Sequence, residues 1–206
     1  MEIDQIYLGN AYELIKQVPD KSIDLIVTDP PYELQGVHGR TGFFKWKTTS
    51  THYAEEIEQA DLGKGIDVSI LREFVRVMKK INCYIWCNKE QIYDYMTFFV
   101  KERKCNFEFI IWAKSNIPPF TNGHYLKDKE YCLYFWEKGV KVKGTCETMR
   151  TVYETTANKL DKELYSHPTI KPLGIISNLI INSSGGGNSY SILFVGRVRL
   201  APRLKC

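Results

Sequence analysis

No apolar run in this chain approaches the ~20 residues that a membrane helix needs, so no helical membrane span is expected. The opening Met1-Glu2-Ile3-Asp4 has no basic stretch and no apolar run behind it, so no secretory leader is expected either. The six cysteines, at 83, 87, 105, 132, 146 and 206, include no C-x-x-C pair. Free thiols and a cytoplasmic location follow as expectations. Cys83 and Cys87 are four apart with no His or second pair to complete a site, so no metal is expected. Internal repeats and low-complexity stretches are absent. No G-x-G-x-x-G follows an early strand, which argues against a dinucleotide oxidoreductase. What is present suits one α/β domain: 206 residues, 44% hydrophobic and 13% aromatic, enough for a real core. The net charge of +4 tolerates a polyanionic partner without requiring one.

Strand and helix patterns alternate along the chain. Residues 3–8 read as a strand and 11–18 as a short helix closed by Pro19-Asp20. Ile23 to Thr28 is an apolar run rich in Ile and Val, as in a buried parallel strand. Helical spacing covers 68–80, with Ile70, Phe74, Val77 and Met78 on one face. Further strands are read at 83–87, 107–112 and 130–136, and helices at 89–102 and 173–181. The alternation predicts a mostly parallel sheet covered on both faces. Residues 33–66 are polar, Gly-rich and without period, and are expected to be a mobile loop facing a ligand.

Asp29-Pro30-Pro31-Tyr32 ends the most apolar strand. A fixed tetrapeptide arises by chance in a chain this size with odds on the order of one in a thousand. One reading is structural: two prolines stop a strand and Tyr32 packs on the turn. The other is chemical. In such sheets ligands bind beyond the carboxyl ends of the strands. Two prolines stiffen the backbone and remove competing N–H donors. Asp29 and the Pro30 carbonyl then accept both hydrogens of an exocyclic amine, which orients the nitrogen lone pair. Tyr32 offers a ring on which a planar base stacks.

With this motif the chain resembles the amino-methyltransferases that modify DNA bases with S-adenosylmethionine. D-P-P-Y with Asp first is similar to the adenine-N6 type; the cytosine-N4 type more often starts with Ser. The lead-in G-N-A-Y-E-L-I-K-Q-V-P-D-K-S-I-D-L-I-V-T is also similar, with Asn10 where the family usually has an acid facing the cofactor's adenine. I-I-W-A-K-S-N-I-P-P and D-K-E-Y-C-L-Y-F-W resemble the family's later strands. His167-Pro168-Thr169-Ile170-Lys171-Pro172 resembles its H-P-T-x-K-P block, which lines the cofactor's methionine end. The resemblance spans residues 3 to about 185 and puts the catalytic motif before the cofactor motif. It implies a Rossmann-like α/β methyltransferase fold over residues 1–185, with Asp29, Pro30, Pro31 and Tyr32 catalytic. Asn10, Asp29, His167, Thr169 and Lys171 would hold the cofactor, with Lys171 partnering a carboxylate.

The resemblance stops where the family has a strand and a Gly-rich turn, D-P-F-x-G-S-G-T-T, then a helix and a strand ending in a ribose-binding acid. Here S-S-G-G-G-N-S-Y-S-I-L-F-V-G-R-V-R-L-A-P-R-L-K-C follows, with only Phe194 and Gly196 as remnants of the cofactor motif. The basic residues of 197–205 invite a nucleic-acid-binding tail. A better explanation comes from the codons. From Tyr190 onward, reading one base out of step permits L-D-P-F-C-G-S-G-T-T and then C-A-E-A-K. The first base of each shifted codon is a choice among synonymous codons; the other two are almost entirely forced. A frameshift near Gly185-Gly186-Gly187 is therefore expected, making 186–206 an aberrant tail and the fold incomplete at its C-terminal end.

Within the 33–66 loop, Arg40, Lys45, Trp46 and Lys47 interleave cations with aromatics, a mixture that contacts phosphates and stacks on bases. The alternative is an ordinary surface loop. Asn122 to Tyr125 and Lys138 to Lys143 are further candidate DNA contacts. The resemblance implies double-stranded DNA as substrate and allows a cognate restriction endonuclease or a second copy of the chain as partner. It leaves cytosine-N4 or RNA-base methylation open, as well as a non-catalytic DNA-binding remnant.

Overall fold

The computed structural model describes residues 7, 9–32, 66–117, 123–156, 170–183 and 190–193. Six strands form one sheet: β1 Leu25–Thr28, β2 Asn82–Cys87, β3 Asn106–Lys114, β4 Lys129–Trp136, β5 Val152–Thr155 and β6 Tyr190–Leu193. Their order is β5-β3-β4-β2-β1-β6. β1 runs parallel to β2 and β6, and β3 parallel to β5, while β4 is antiparallel to both its neighbours. Five strands thus point one way and β4 alone is reversed. This reversal brings the start of β4 beside the ends of β1 and β2, where Asp29 emerges.

Side chains alternate across the sheet and fill two cores. On one face Ile26, Cys83, Ile85, Leu133 and Phe135 pack against α2 (Ser69–Val77), which buries Ile70, Leu71, Phe74 and Val77. Tyr95 of α3 (Ile92–Met96) and Phe98 and Phe99 close that core. On the other face Leu25, Val27, Tyr84, Trp86, Trp112, Cys132 and Tyr134 receive Ile175 and Leu179 of α4 (Leu173–Ser183). Tyr84 bonds Ser183 Oγ at 2.6 Å, which ties the far end of α4 to the sheet.

The segment 11–18 is helical in two pieces, α1 (Ala11–Leu14) and a 3₁₀ turn at Ile15–Gln17. The helix read over 89–102 is α3 followed by a π-helical stretch, Thr97–Glu102. The wider turn lets adjacent Phe98 and Phe99 both enter the core, which helical periodicity alone does not predict. β5 was not legible: V-Y-E-T is half exposed at a sheet edge and lacks an apolar run. The strand read over 3–8 lies outside the described residues except for Tyr7, as does nearly all of the 33–66 loop. Tyr190–Leu193, inside the segment read as an aberrant tail, forms an edge strand parallel to β1, and among the described residues nothing pairs with its other edge. Among the described residues no helix is long and apolar enough to cross a membrane.

Candidate active site

Leu25, Val27 and Asp29 share the α4 face of β1 by strand alternation, so the chain leaves the sheet with the Asp29 carboxylate on that face. Lys171 descends onto it from the residue pair before α4. Its Nζ lies 2.7 Å from Asp29 Oδ2 and 3.1 Å from Glu130 Oε2. It also stands over the rings of Tyr32, at 5.0 Å, and Trp86, at 5.4 Å. The Lys171 side chain is 6% exposed and each carboxylate 17%, so the cluster is largely shut off from water. Glu130 is also bound by Lys114 at the end of β3. The charges alternate across the sheet, Lys114, Glu130, Lys171, Asp29, and sum to zero.

Burial raises the Asp29 carboxyl above its ordinary 3.8; Lys171 opposes this and Glu130 adds to it. Burial would raise Glu130 too, but Lys171 and Lys114 outweigh it and hold that carboxyl below its usual value. Burial would lower Lys171, yet its two carboxylates hold it above 10.5 and charged. Asp29 is thus the more readily protonated of the pair and Glu130 the firmer anion. Burial, with Asp29 and Glu130 nearby, pushes the Tyr32 hydroxyl well above 10. Burial pushes the Cys87 thiol up to about 12, which makes it no nucleophile.

The Tyr32 hydroxyl donates to Glu130 Oε2 at 3.4 Å, a long and weak bond. The Pro31 carbonyl accepts from Gln91 Nε2 at 2.9 Å. Gln91 is itself locked by reciprocal bonds with Asn88. Thr28 Oγ1, Trp86 Nε1 and the Tyr95 hydroxyl are buried without a hydrogen-bond partner among the described residues. Such atoms are normally satisfied; of the three, Trp86 Nε1 belongs to the face that carries Asp29, while Tyr95 packs in the core on the other face.

Asn10 caps α1, its side-chain oxygen accepting from Tyr12 N at 2.9 Å, which leaves its amide to donate elsewhere. His167, Thr169, Phe194, Gly196, Arg40, Lys45, Trp46 and Lys47 lie outside the described residues. Tyr125, almost fully exposed, sits between β3 and β4 at the Asp29 end of the sheet. The expectation for Lys138 to Lys143 needs correction. Because β4 is reversed, its end lies beside Asn82 at the start of β2, so this segment is at the opposite end of the sheet from Asp29. Sequence reasoning missed Glu130, Lys114 and Gln91. The one available signal was a charged residue opening an otherwise apolar strand, D-K-E-Y-C-L-Y-F-W.

No family model matches the chain. It is 24% identical over 201 residues to the type II methyltransferase M2.MboI of Moraxella bovis, covering 87% of this chain and 70% of that protein. It is 28% identical over 151 residues to the type II methyltransferase M.BamHI of Bacillus amyloliquefaciens, covering 69% of this chain but only 30% of that protein. Among solved structures, the M1.HpyAVI–SAM complex superposes with a TM-score of 0.52 at 21% identity, covering 92% of this chain and 81% of that one. The PvuII DNA methyltransferase, described as cytosine-N4-specific, gives 0.56 at 16% identity, covering 88% and 71%. In sequence the chain is related to the type II DNA methyltransferases, and its fold is that of the S-adenosylmethionine-dependent methyltransferases.

Proposed function

We propose that this chain carries the base-holding site of a DNA methyltransferase that acts on the N6 amine of adenine. The observation behind this is Asp29, at the end of a buried parallel strand within D-P-P-Y, ion-paired to buried Lys171. Asp29 and the Pro30 carbonyl take one amine hydrogen each and aim the nitrogen lone pair. Tyr32 has one ring face on Lys171 and offers the other to the base. Bound beside them, S-adenosylmethionine would supply an electrophilic methyl group for that nitrogen. The methylated nitrogen would pass its acidic proton to water through the Asp29 carboxylate that already accepts its hydrogen bond, so the site needs no strong base. Asn10, Asp29, His167, Thr169 and Lys171 are the residues assigned to hold that cofactor. A strand-end pocket is out of reach of a stacked base, so the target must flip out of the duplex. Arg40, Lys45, Trp46, Lys47 and Tyr125 are the proposed DNA contacts. A cytoplasmic setting and a cognate restriction endonuclease complete the reading.

We further propose a frame slip near Gly185-Gly186-Gly187, with residues 186–206 standing where the Gly-rich cofactor turn belongs. The gene sequence decides this: a shifted frame that does not encode L-D-P-F-C-G-S-G-T-T ends it. A frame-restored protein is expected to bind S-adenosylmethionine at least about a hundredfold more tightly than the 206-residue chain, about 2.7 kcal/mol, by titration calorimetry. Comparable affinities would mean the tail forms a working site. The reaction itself is tested by incubating the frame-restored protein with labelled cofactor and duplex DNA, then analysing nucleosides by mass. N6-methyladenine is expected; N4-methylcytosine would move the reading to the other base, and label in RNA alone would exclude DNA.

A further inference from the structure

Two carboxylates face each other at this end of the sheet from strands that are not neighbours. β2 lies between β1 and β4, so Asp29 and Glu130 stand two strands apart. Lys171 bridges that gap across the Trp86 ring of β2. The Tyr32 hydroxyl donates to the same Glu130 Oε2 that Lys171 reaches. The one cation on Asp29 therefore has a second acceptor, the Glu130 oxygen to which the Tyr32 hydroxyl also donates.

We propose that Glu130 is a positioning residue: it draws Lys171 and the Tyr32 hydroxyl away from Asp29, so that Asp29 keeps an acceptor oxygen for the target amine. The proposal rests on the amine-holding reading of Asp29. A carboxylate has about four lone-pair sites, and each one taken by a cation or hydroxyl weakens what remains for a neutral amine. Without Glu130, Lys171 and Tyr32 have Asp29 as their one anionic partner in the cluster and close on it. With Glu130, held ionised by Lys114, they are shared. Glu130 itself touches neither base nor cofactor in this account.

The Asp29 carboxyl reports the sharing directly. It is surrounded by Lys171, Glu130 and Tyr32, with the neutral Cys87, Cys132 and Tyr95 beyond them. In the 206-residue protein, carbon-detected NMR titration of Asp29 is compared with Glu130→Gln, which keeps the shape and removes the charge. The Asp29 midpoint is expected to fall by about one pH unit, because a repelling anion is gone and Lys171 moves wholly onto Asp29. Glu130→Asp is expected to recover at least about half of that shift. A folded Glu130→Gln protein with its Asp29 midpoint within about 0.2 unit of wild type would overturn the proposal. The wild-type protein gives a second readout that needs no variant. The Asp29 and Glu130 carbons should each show a step at the other's midpoint, and two independent single-step curves would also overturn it. Where transfer is measured, Glu130→Gln is expected to lower kcat about tenfold with cofactor Kd unchanged. A frame-restored protein without transfer would remove the functional reading, while the titration still decides how Lys171 is divided.

Discussion

Gln91 Nε2 lies 2.9 Å from the Pro31 carbonyl, and this bond ties the D-P-P-Y turn to the segment that follows β2. Gln91 is buried and reaches across from the residue before α3, so the helix that follows β2 braces the turn that follows β1. Gln91→Leu leaves the Pro31 carbonyl unpaired and frees the turn. A stability loss of about 1–2 kcal/mol in urea unfolding is expected, together with a lower kcat at unchanged cofactor affinity. A variant that loses stability but keeps kcat would mean Gln91 is only a brace for the fold.

Lys171 and Asp29 are not equivalent partners, because Lys171 has a second carboxylate and Asp29 has no second cation in contact. Lys171→Met leaves two buried carboxylates facing each other and is expected to cost about 3 kcal/mol near pH 8. Asp29→Ala leaves Lys171 paired with Glu130 and is expected to cost less than about 2 kcal/mol. The pH dependence follows from the signs. A carboxyl whose folded pKa is raised favours the folded state below that pKa and loses the advantage as pH rises through it. Without Lys171, Asp29 rises further, so the deficit of Lys171→Met should shrink as pH falls toward about 5. A deficit that grows on acidification would contradict the assignment of Lys171 as the cation of this cluster. Urea unfolding at both pH values measures it.

Tyr32 has two separable parts, a hydroxyl with a weak bond to Glu130 and a ring with one face on Lys171. Tyr32→Phe is expected to be mild for transfer and Tyr32→Ala severe, by the roughly 1–3 kcal/mol that stacking a base supplies. Equal damage from both would move the function from the ring to the hydroxyl. Single-turnover rates on duplex DNA separate the two.

The parts of this fold that follow from local pattern were legible. The buried run before Asp29, the helical face of Ile70, Phe74 and Val77, and the strands around Cys83 and Leu133 stand where their periodicity puts them. The half-exposed β5 and the π-helical turn were not, since each depends on tertiary packing rather than on a repeat. At the site, Asp29 and Tyr32 were found through a motif, and Lys171 through a second block 142 residues away. Glu130 and Gln91 were not, because a single Glu or Gln acquires meaning only once the reversed β4 and α3 bring it to the turn. The placement of Lys138 to Lys143 failed for the same reason, as strand direction cannot be read from composition.

The central claim is that the Asp29 carboxylate holds the amine that receives the methyl. Its most direct test is a single turnover with labelled cofactor at saturation and duplex DNA, comparing the frame-restored protein with its Asp29→Ala variant. Both must unfold cooperatively, and cofactor Kd is measured for each so that saturation holds although Asp29 is also assigned to the cofactor. The account predicts N6-methyladenine from the first and none above background from the second. Equal methylation by the two would contradict it and remove Asp29 from the reaction.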